Sequence, residues 1–200
     1  AKAAKGYGYV NTKADVDGKR RRTMPIISYQ NKNYYQLSFR VVMDVLGIKP
    51  EEVRVGPGHT LELSKDLKIP LDDEGYFIVN YAGTWEKTFK HYSYLDILAS
   101  YVEIQSGEKP RINLEELRGK ICFVGLTSLG SHDTSPVPIQ SVYPMVGSYA
   151  NIINSILNRD FICRMDRIWN LLILLIAGFF VYQFSIRVKP VLALLMTLGV

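Results

Sequence analysis

Apolar and polar residues alternate in short runs over most of the chain, then give way near its end to a long uncharged stretch. Tyr7–Asn11 reads as a short strand and Asp15-Val16-Asp17-Gly18 as a tight turn. Met24–Tyr29 (MPIISY) then reads as the strand that returns from that turn in a hairpin. From Tyr34 to Leu46 the period becomes helical. Leu37, Val41, Val42, Val45 and Leu46 fall on one stripe, and Gly47 stands where a left-handed C-cap is wanted. Val53–Val55 and Leu61–Leu63 are short strands around a turn at Gly56-Pro57-Gly58. Lys68–Asp72 leads to a second turn, Asp73-Glu74-Gly75, and Tyr76–Tyr81 (YFIVNY) is a strand ending in the loop Ala82-Gly83-Thr84. Ser93 as N-cap with Asp96 at N3 starts a helix over Tyr94–Gln105, which Ser106-Gly107 ends.

Asn113-Leu114-Glu115-Glu116 opens like a capping box, and Gly119 stops the turn. Ile121–Val124 follows as a buried apolar strand ending at Gly125. A loop rich in Gly, Ser, Thr and Pro runs from Leu126 to Pro144. Val146–Leu157 is then a helix with Val146, Ala150, Ile153 and Leu157 on one face. Strand, long loop and helix in this order make half of a doubly wound unit, in which ligands bind outside the carboxyl ends of strands. The expected fold class is therefore α/β, a mixed-sheet domain followed by transmembrane α-helices.

The uncharged stretch is Ile168–Ile186 (IWNLLILLIAGFFVYQFSI), close to the ~20 residues that cross a ~30 Å hydrocarbon layer. Arg187-Val188-Lys189-Pro190 is a short basic turn, and Val191–Val200 begins a second apolar run. The chain opens without an initiator Met and closes inside that run, so we read it as part of a longer protein. The expected divisions are a head over 1–164, one span at 168–186 and the start of another at 191–200. Arg159, Arg164 and Arg167 before the span outnumber Arg187 and Lys189 after it, which leaves the orientation open. The short basic loop favours a cytoplasmic turn.

Composition changes this picture little. The chain has 200 residues and a formal charge of +5, to which Lys19-Arg20-Arg21-Arg22 contributes a local run. No aromatic residues interleave that run at base-stacking spacing, so it reads as a solvated turn and argues against nucleic-acid binding. Cys122 and Cys163 form no metal motif and leave the redox compartment open.

Candidate chemistry is sparse. Gly125-Leu126-Thr127-Ser128-Leu129-Gly130-Ser131 has the glycine spacing of a phosphate loop, but Ser131 stands where the lysine that faces the β/γ-phosphates belongs. His132-Asp133 has no second histidine at ligand spacing, and Asp133 reads as a loop organiser. Asp15-Val16-Asp17-Gly18 opens like a calcium loop, but no third acidic residue and no Glu at the twelfth position follow in register, and Lys19–Arg22 occupy the critical stretch. Tyr76, Phe77, Tyr81, Trp85, Phe89, Tyr92 and Tyr94 are read as core or interface rather than as the lining of a pocket. No metal and no cofactor are expected.

Four stretches together resemble the CHASE2 domain, an extracytoplasmic sensor of bacterial membrane receptors. They are Asp15–Gly18 with Arg21-Arg22 and Met24-Pro25-Ile26; Pro70-Leu71-Asp72 to Gly75 with Val79–Gly83; Phe89 with Ser93–Leu98; and Leu117–Gly125 with Asp133, Pro138, Pro144, Gly147 and Asn151. Two departures stand out. The family's first strand–helix portion and its preceding membrane helix are missing, and Tyr149 occupies a position where a smaller or apolar residue is expected.

The resemblance implies a receptor of the bacterial inner membrane with its head in the periplasm and a cytoplasmic output domain, often an adenylate or guanylate cyclase. Candidate ligand contacts are Gly125, Thr127, Ser128, Asp133, Asn80, Tyr81 and Gly83. Gly147, Asn151 and Trp169 are the candidate coupling residues. The expected partners are the lipid bilayer, a second copy in a homodimer, and an unknown small ligand or a membrane or periplasmic protein, with no nucleic acid. The competing class is a ligand-free dimerisation or assembly module. A periplasmic hydrolase built on His132-Asp133 is a third.

Overall fold

The computed structural model describes residues 4–128, 133–165 and 167–187. It divides into two units, Ala1–Cys163 and Arg164–Val200.

The first unit is a mixed α/β head built from small antiparallel sheets rather than a doubly wound one. Its first strand, β1 (Arg22–Thr23), pairs with β7 (Phe77–Ile78). β2 (Ile26–Tyr29) forms a hairpin with β3 (Lys32–Tyr35), not with the Tyr7–Asn11 segment. Gln30 and Asn31 between them both have positive φ, 49° and 57°. That is the backbone of a two-residue turn whose twist matches the strands. The Tyr7–Asn11 segment instead supplies one parallel bridge, Tyr9 to Gln36.

Helix α1 (Leu37–Leu46) starts three residues later than its pattern predicts, because Tyr34 and Tyr35 are drawn into β3. The Gln36 side chain accepts the Ser38 N–H at 2.7 Å, and Gly47 at φ 70° closes the other end. The helix buries Ser38, Phe39, Val42 and Met43, leaving Val45 and Leu46 outside. Phe39 and Met43 join Val42 of the expected stripe in the core, and Val41 packs against it partly buried.

After a 3₁₀ turn at Pro50–Glu52 come β4 (Arg54–Gly56), β5 (Thr60–Ser64) and β6 (Leu67–Pro70), an antiparallel meander in that order. Alternation buries Leu61, Leu63, Leu67 and Ile69 on one face. The remaining elements of the head are α2 (Trp85–Thr88), α3 (Tyr94–Gln105), a 3₁₀ turn at Leu114–Leu117, the hairpin β8 (Thr134–Val137) and β9 (Gln140–Pro144), and α4 (Met145–Asn158). Ile152, Ile153 and Ile156 of α4 join Phe39, Val42 and Met43 of α1, the β5–β6 face, Phe77 and Val79 in one core. α4 buries Val146 and Ile153 of the expected face together with Tyr149, Ile152 and Ile156, and leaves Leu157 exposed.

Two further expectations fail. Ile121–Val124 is not a strand, and Cys122 is exposed with Ile121 and Val124. A strand needs a neighbour to take its backbone N–H and C=O groups, and none lies beside this segment among the described residues. Leu126–Pro144 is not all loop either, since its second half folds as the β8–β9 hairpin and buries Val137 and Tyr143.

The second unit holds α5 (Arg167–Arg187), the expected span. Among the described residues it is the one helix long and apolar enough to cross a membrane, with a mean hydropathy of 1.8. The second apolar run, Val191–Val200, lies outside the described residues.

Candidate functional site

Helix α4 meets the segment that follows β7 along a buried polar seam. Asn151, fully buried, is its centre. Its Oδ1 accepts the Ala82 N–H at 2.9 Å, and its amide donates to the Tyr143 hydroxyl and to the Gly147 carbonyl, both at 2.8 Å. One turn on, the Ser155 hydroxyl donates to the Asn80 carbonyl at 3.3 Å. One turn back, Ser148 Oγ lies 3.2 Å from the Tyr81 hydroxyl, which donates to the Arg20 carbonyl at 3.0 Å. The rings of Tyr81 and Tyr143 meet edge to face at 5.5 Å.

Two glycines allow this approach. A Cβ on Gly147 would stand 2.7 Å from the rings of both Trp85 and Tyr143, and one on Gly83 would stand 2.9 Å from Thr88 Oγ1. The seam closes just before the chain leaves the head. The Asn80 amide donates to the Asp160 carboxylate at 2.9 Å, and the Phe161 ring packs edge-on against Phe77 at 6.2 Å. Burial pushes the Tyr81 phenol up to about 12 and raises Tyr143 as well. Both are therefore neutral hydrogen-bonding groups near pH 7.

A second cluster ties the N-terminal segment to the rest of the head. Arg22 reaches Asp72 at 2.9 Å and Asp15 at 3.0 Å, and its guanidinium lies over the Tyr76 ring at 5.1 Å. Arg21 holds Asp15 and Asp17, at 3.0 and 2.6 Å. Arg20 donates to the Thr12 carbonyl and hydroxyl and to Ser135 Oγ. Burial raises the Asp72 carboxyl, but bonds from the Tyr76 N–H, the Arg22 guanidinium and the Glu74 N–H outweigh it and leave its pKa lowered. Asp15 and Asp17 are thus arginine partners, consistent with a turn rather than a calcium loop. Among the described residues no group of acids, histidines and cysteines is arranged to hold a metal.

The structure brings Asn80, Tyr81, Gly83, Gly147 and Asn151 together in the seam. Gly125 approaches the first turn of α4, where its Cβ would lie 2.9 Å from Val146 Cβ. The Asp133 carbonyl accepts the Met145 N–H at 2.9 Å, while Thr127 and Ser128 are exposed. Trp169 belongs to α5, in the other unit. Gly130, Ser131 and His132 lie outside the described residues. Tyr149, the unexpected residue, is buried and donates its hydroxyl to the Val10 carbonyl at 3.0 Å, a use that a smaller side chain cannot serve.

Sequence reasoning missed Tyr143, Ser148, Ser155 and Asp160. The i, i+4 series Gly147, Asn151, Ser155 was the available signal: small and polar residues on one helical line facing inward.

The family described as the CHASE2 domain matches residues 1–183, so the chain belongs to that family, an extracytoplasmic sensory domain of bacterial membrane receptors. No curated protein and no solved structure matches it.

Proposed function

We propose that this CHASE2 domain is the input module of a bacterial inner-membrane receptor, that it regulates a cytoplasmic nucleotide cyclase, and that α4 is the element carrying the signal. The seam is the observation that supports this reading. α4 is held along its length by side chains that report on the 80–85 segment, and its far end is pinned by Asn80–Asp160 and Phe77–Phe161. The chain then runs through Cys163 toward α5, which we read as the membrane span.

A stimulus that changes the packing of the 80–85 segment has a short covalent route to the bilayer. It shifts the equilibrium only by its differential affinity for the two arrangements. Gly125 and Asp133 border the N-terminal end of α4, so a ligand there acts on the same helix. No side chain in the seam is placed for covalent or acid–base chemistry, and the head serves as a regulator rather than an enzyme.

The test is cyclic-nucleotide synthesis by the full-length protein in membranes, with and without the head. Synthesis that changes on deleting the head is expected. Synthesis indifferent to the head overturns the regulatory reading, and no synthesis at all overturns the cyclase.

The assembly reading has one specific support. α3 exposes Leu95, Leu98 and Val102 at helical spacing together with Tyr94 and Tyr101. In that reading two heads, or a head and a neighbouring membrane protein, meet there and hold the receptor as a dimer. Deleting the head then lowers dimer content without changing synthesis per dimer.

A further inference from the structure

Beside the arginine cluster, and away from the strand-end loop singled out by the sequence, the head has a cleft of about 300 Å³. That is the lower end of the ~300–1000 Å³ typical of small-ligand sites. Tyr9, Met24, Ile27 and Tyr76 form its apolar walls, and Asn11, Thr12 and Lys13 complete its lining. Lys13 and Tyr76 also line a smaller recess with Asp15, Arg22 and Glu74, so the cleft opens onto the charged cluster.

The charges there are unevenly matched. Asp15, Asp72 and Glu74 all face Arg22, and Asp15 faces Arg21 too. Lys13 has no acidic partner among the described residues. An ammonium beside an apolar, ring-lined cleft selects an anion that carries apolar bulk: the charge pairs with Lys13 and the body displaces water from Tyr9, Met24, Ile27 and Tyr76.

We infer that this cleft is the sensor's ligand site, and that it takes a small organic carboxylate with a compact aromatic or branched apolar body. The inference rests on the sensory reading above and moves the ligand from the 125–144 loop to the N-terminal segment. The walls are pre-organised. The Tyr9 hydroxyl donates to the Met24 carbonyl, and the Tyr9 backbone is bonded to Tyr35 and Leu37. Burial raises the Tyr9 phenol far above its usual range, so it presents no negative charge to a carboxylate.

The segment between Tyr9 and Lys13 also touches the signalling helix. Tyr149 of α4 donates to the Val10 carbonyl, and Arg20, whose own carbonyl receives the Tyr81 hydroxyl, holds Thr12. A ligand that draws this segment inward pulls on the Ser148–Tyr149 end of the seam.

The probe is phenylacetate, with uncharged phenylacetamide as the control, added to the full chain in lipid nanodiscs with labelled Ile and Met methyl groups. Phenylacetate is expected to move the Met24 and Ile27 signals along a saturable curve while the core Ile152 signal reports an intact fold. Phenylacetamide is expected to bind at least about tenfold more weakly, and Lys13→Gln to weaken phenylacetate by about tenfold while leaving the amide unchanged, as for loss of one charge-assisted contact. No saturable shift up to about 10 mM, equal binding of acid and amide, or unaltered binding by Lys13→Gln would each overturn the site. Binding alongside synthesis that ignores the head would overturn the sensory reading and leave the site standing. Head-dependent synthesis with no binding would remove the site alone.

Discussion

Asn151 Oδ1 accepts the backbone N–H of Ala82 at 2.9 Å across 69 positions of sequence, from inside a helix whose side it shares with Gly147 and Ser155. Backbone groups outside regular structure need such partners when solvent is excluded. Asn151→Ala removes the acceptor and leaves the Ala82 N–H and the Tyr143 hydroxyl unpaired. The expected loss is about 2–3 kcal/mol of stability, from two stranded groups and a small void. Denaturant unfolding of the full chain in nanodiscs measures it, and a loss below about 0.5 kcal/mol would mean that the seam is not buried polar structure.

Gly147→Ala reverses the usual sign. In a solvent-facing helix the change stabilises by about 0.5–1 kcal/mol. Here the new methyl meets Trp85 and Tyr143 at 2.7 Å, so a net destabilisation of about 1–3 kcal/mol is expected. Trp85 fluorescence in a chain with Trp169→Phe reads the displacement directly. A stabilised variant with unchanged fluorescence would contradict the close packing of α4 on Trp85.

Acid should unfold the head through Asp72. Its folded pKa lies below the unfolded value of about 3.9, so its contribution is complete above that value and is lost as pH falls toward the folded pKa. Arg22→Gln removes one of the groups that depress it. The acid limb of the stability curve should then move to higher pH, with about 2 kcal/mol lost at pH 7 for a carboxylate left buried beside a partly exposed partner. Superimposable acid limbs would show that Arg22 does not hold Asp72.

Much of this was legible from local pattern, and what failed was non-local. α3 and the β4–β5 turn follow the sequence closely. The helix runs over Tyr94–Gln105 as its pattern predicts, though the Ser93 side chain makes no capping bond, and Gly56-Pro57-Gly58 turns the chain within a few positions. The β2–β3 hairpin escaped notice because its turn is Gln30-Asn31 rather than a pair containing glycine. The pairing of Arg22–Thr23 with Phe77–Ile78 joins segments over fifty residues apart, and no local signal encodes it. Ile121–Val124 has the composition of a buried strand, but composition supplies no neighbour. Five of the ten candidate site residues meet in the seam since they flank one helix face. Thr127 and Ser128, candidates as part of the loop after Val124, do not join it.

The exposed Cys122 reports orientation without an added label site. With Cys163→Ser to leave one thiol, a membrane-impermeant maleimide should label Cys122 in intact spheroplasts. Labelling only after lysis would place the head on the cytoplasmic side.

The central claim is that the end of α4, fixed by Asn80 and Asp160 at 2.9 Å, governs output across the membrane. The direct measurement is cyclic-nucleotide synthesis by the full-length protein in vesicles, comparing Asn80→Asp with Asn80→Asp plus Asp160→Asn. The single change sets two carboxylates against each other, and the swap restores a donor–acceptor pair with its polarity reversed. The account predicts synthesis altered about 5-fold or more by the single change and returned toward the original level by the swap. Equal synthesis in all three proteins would contradict it.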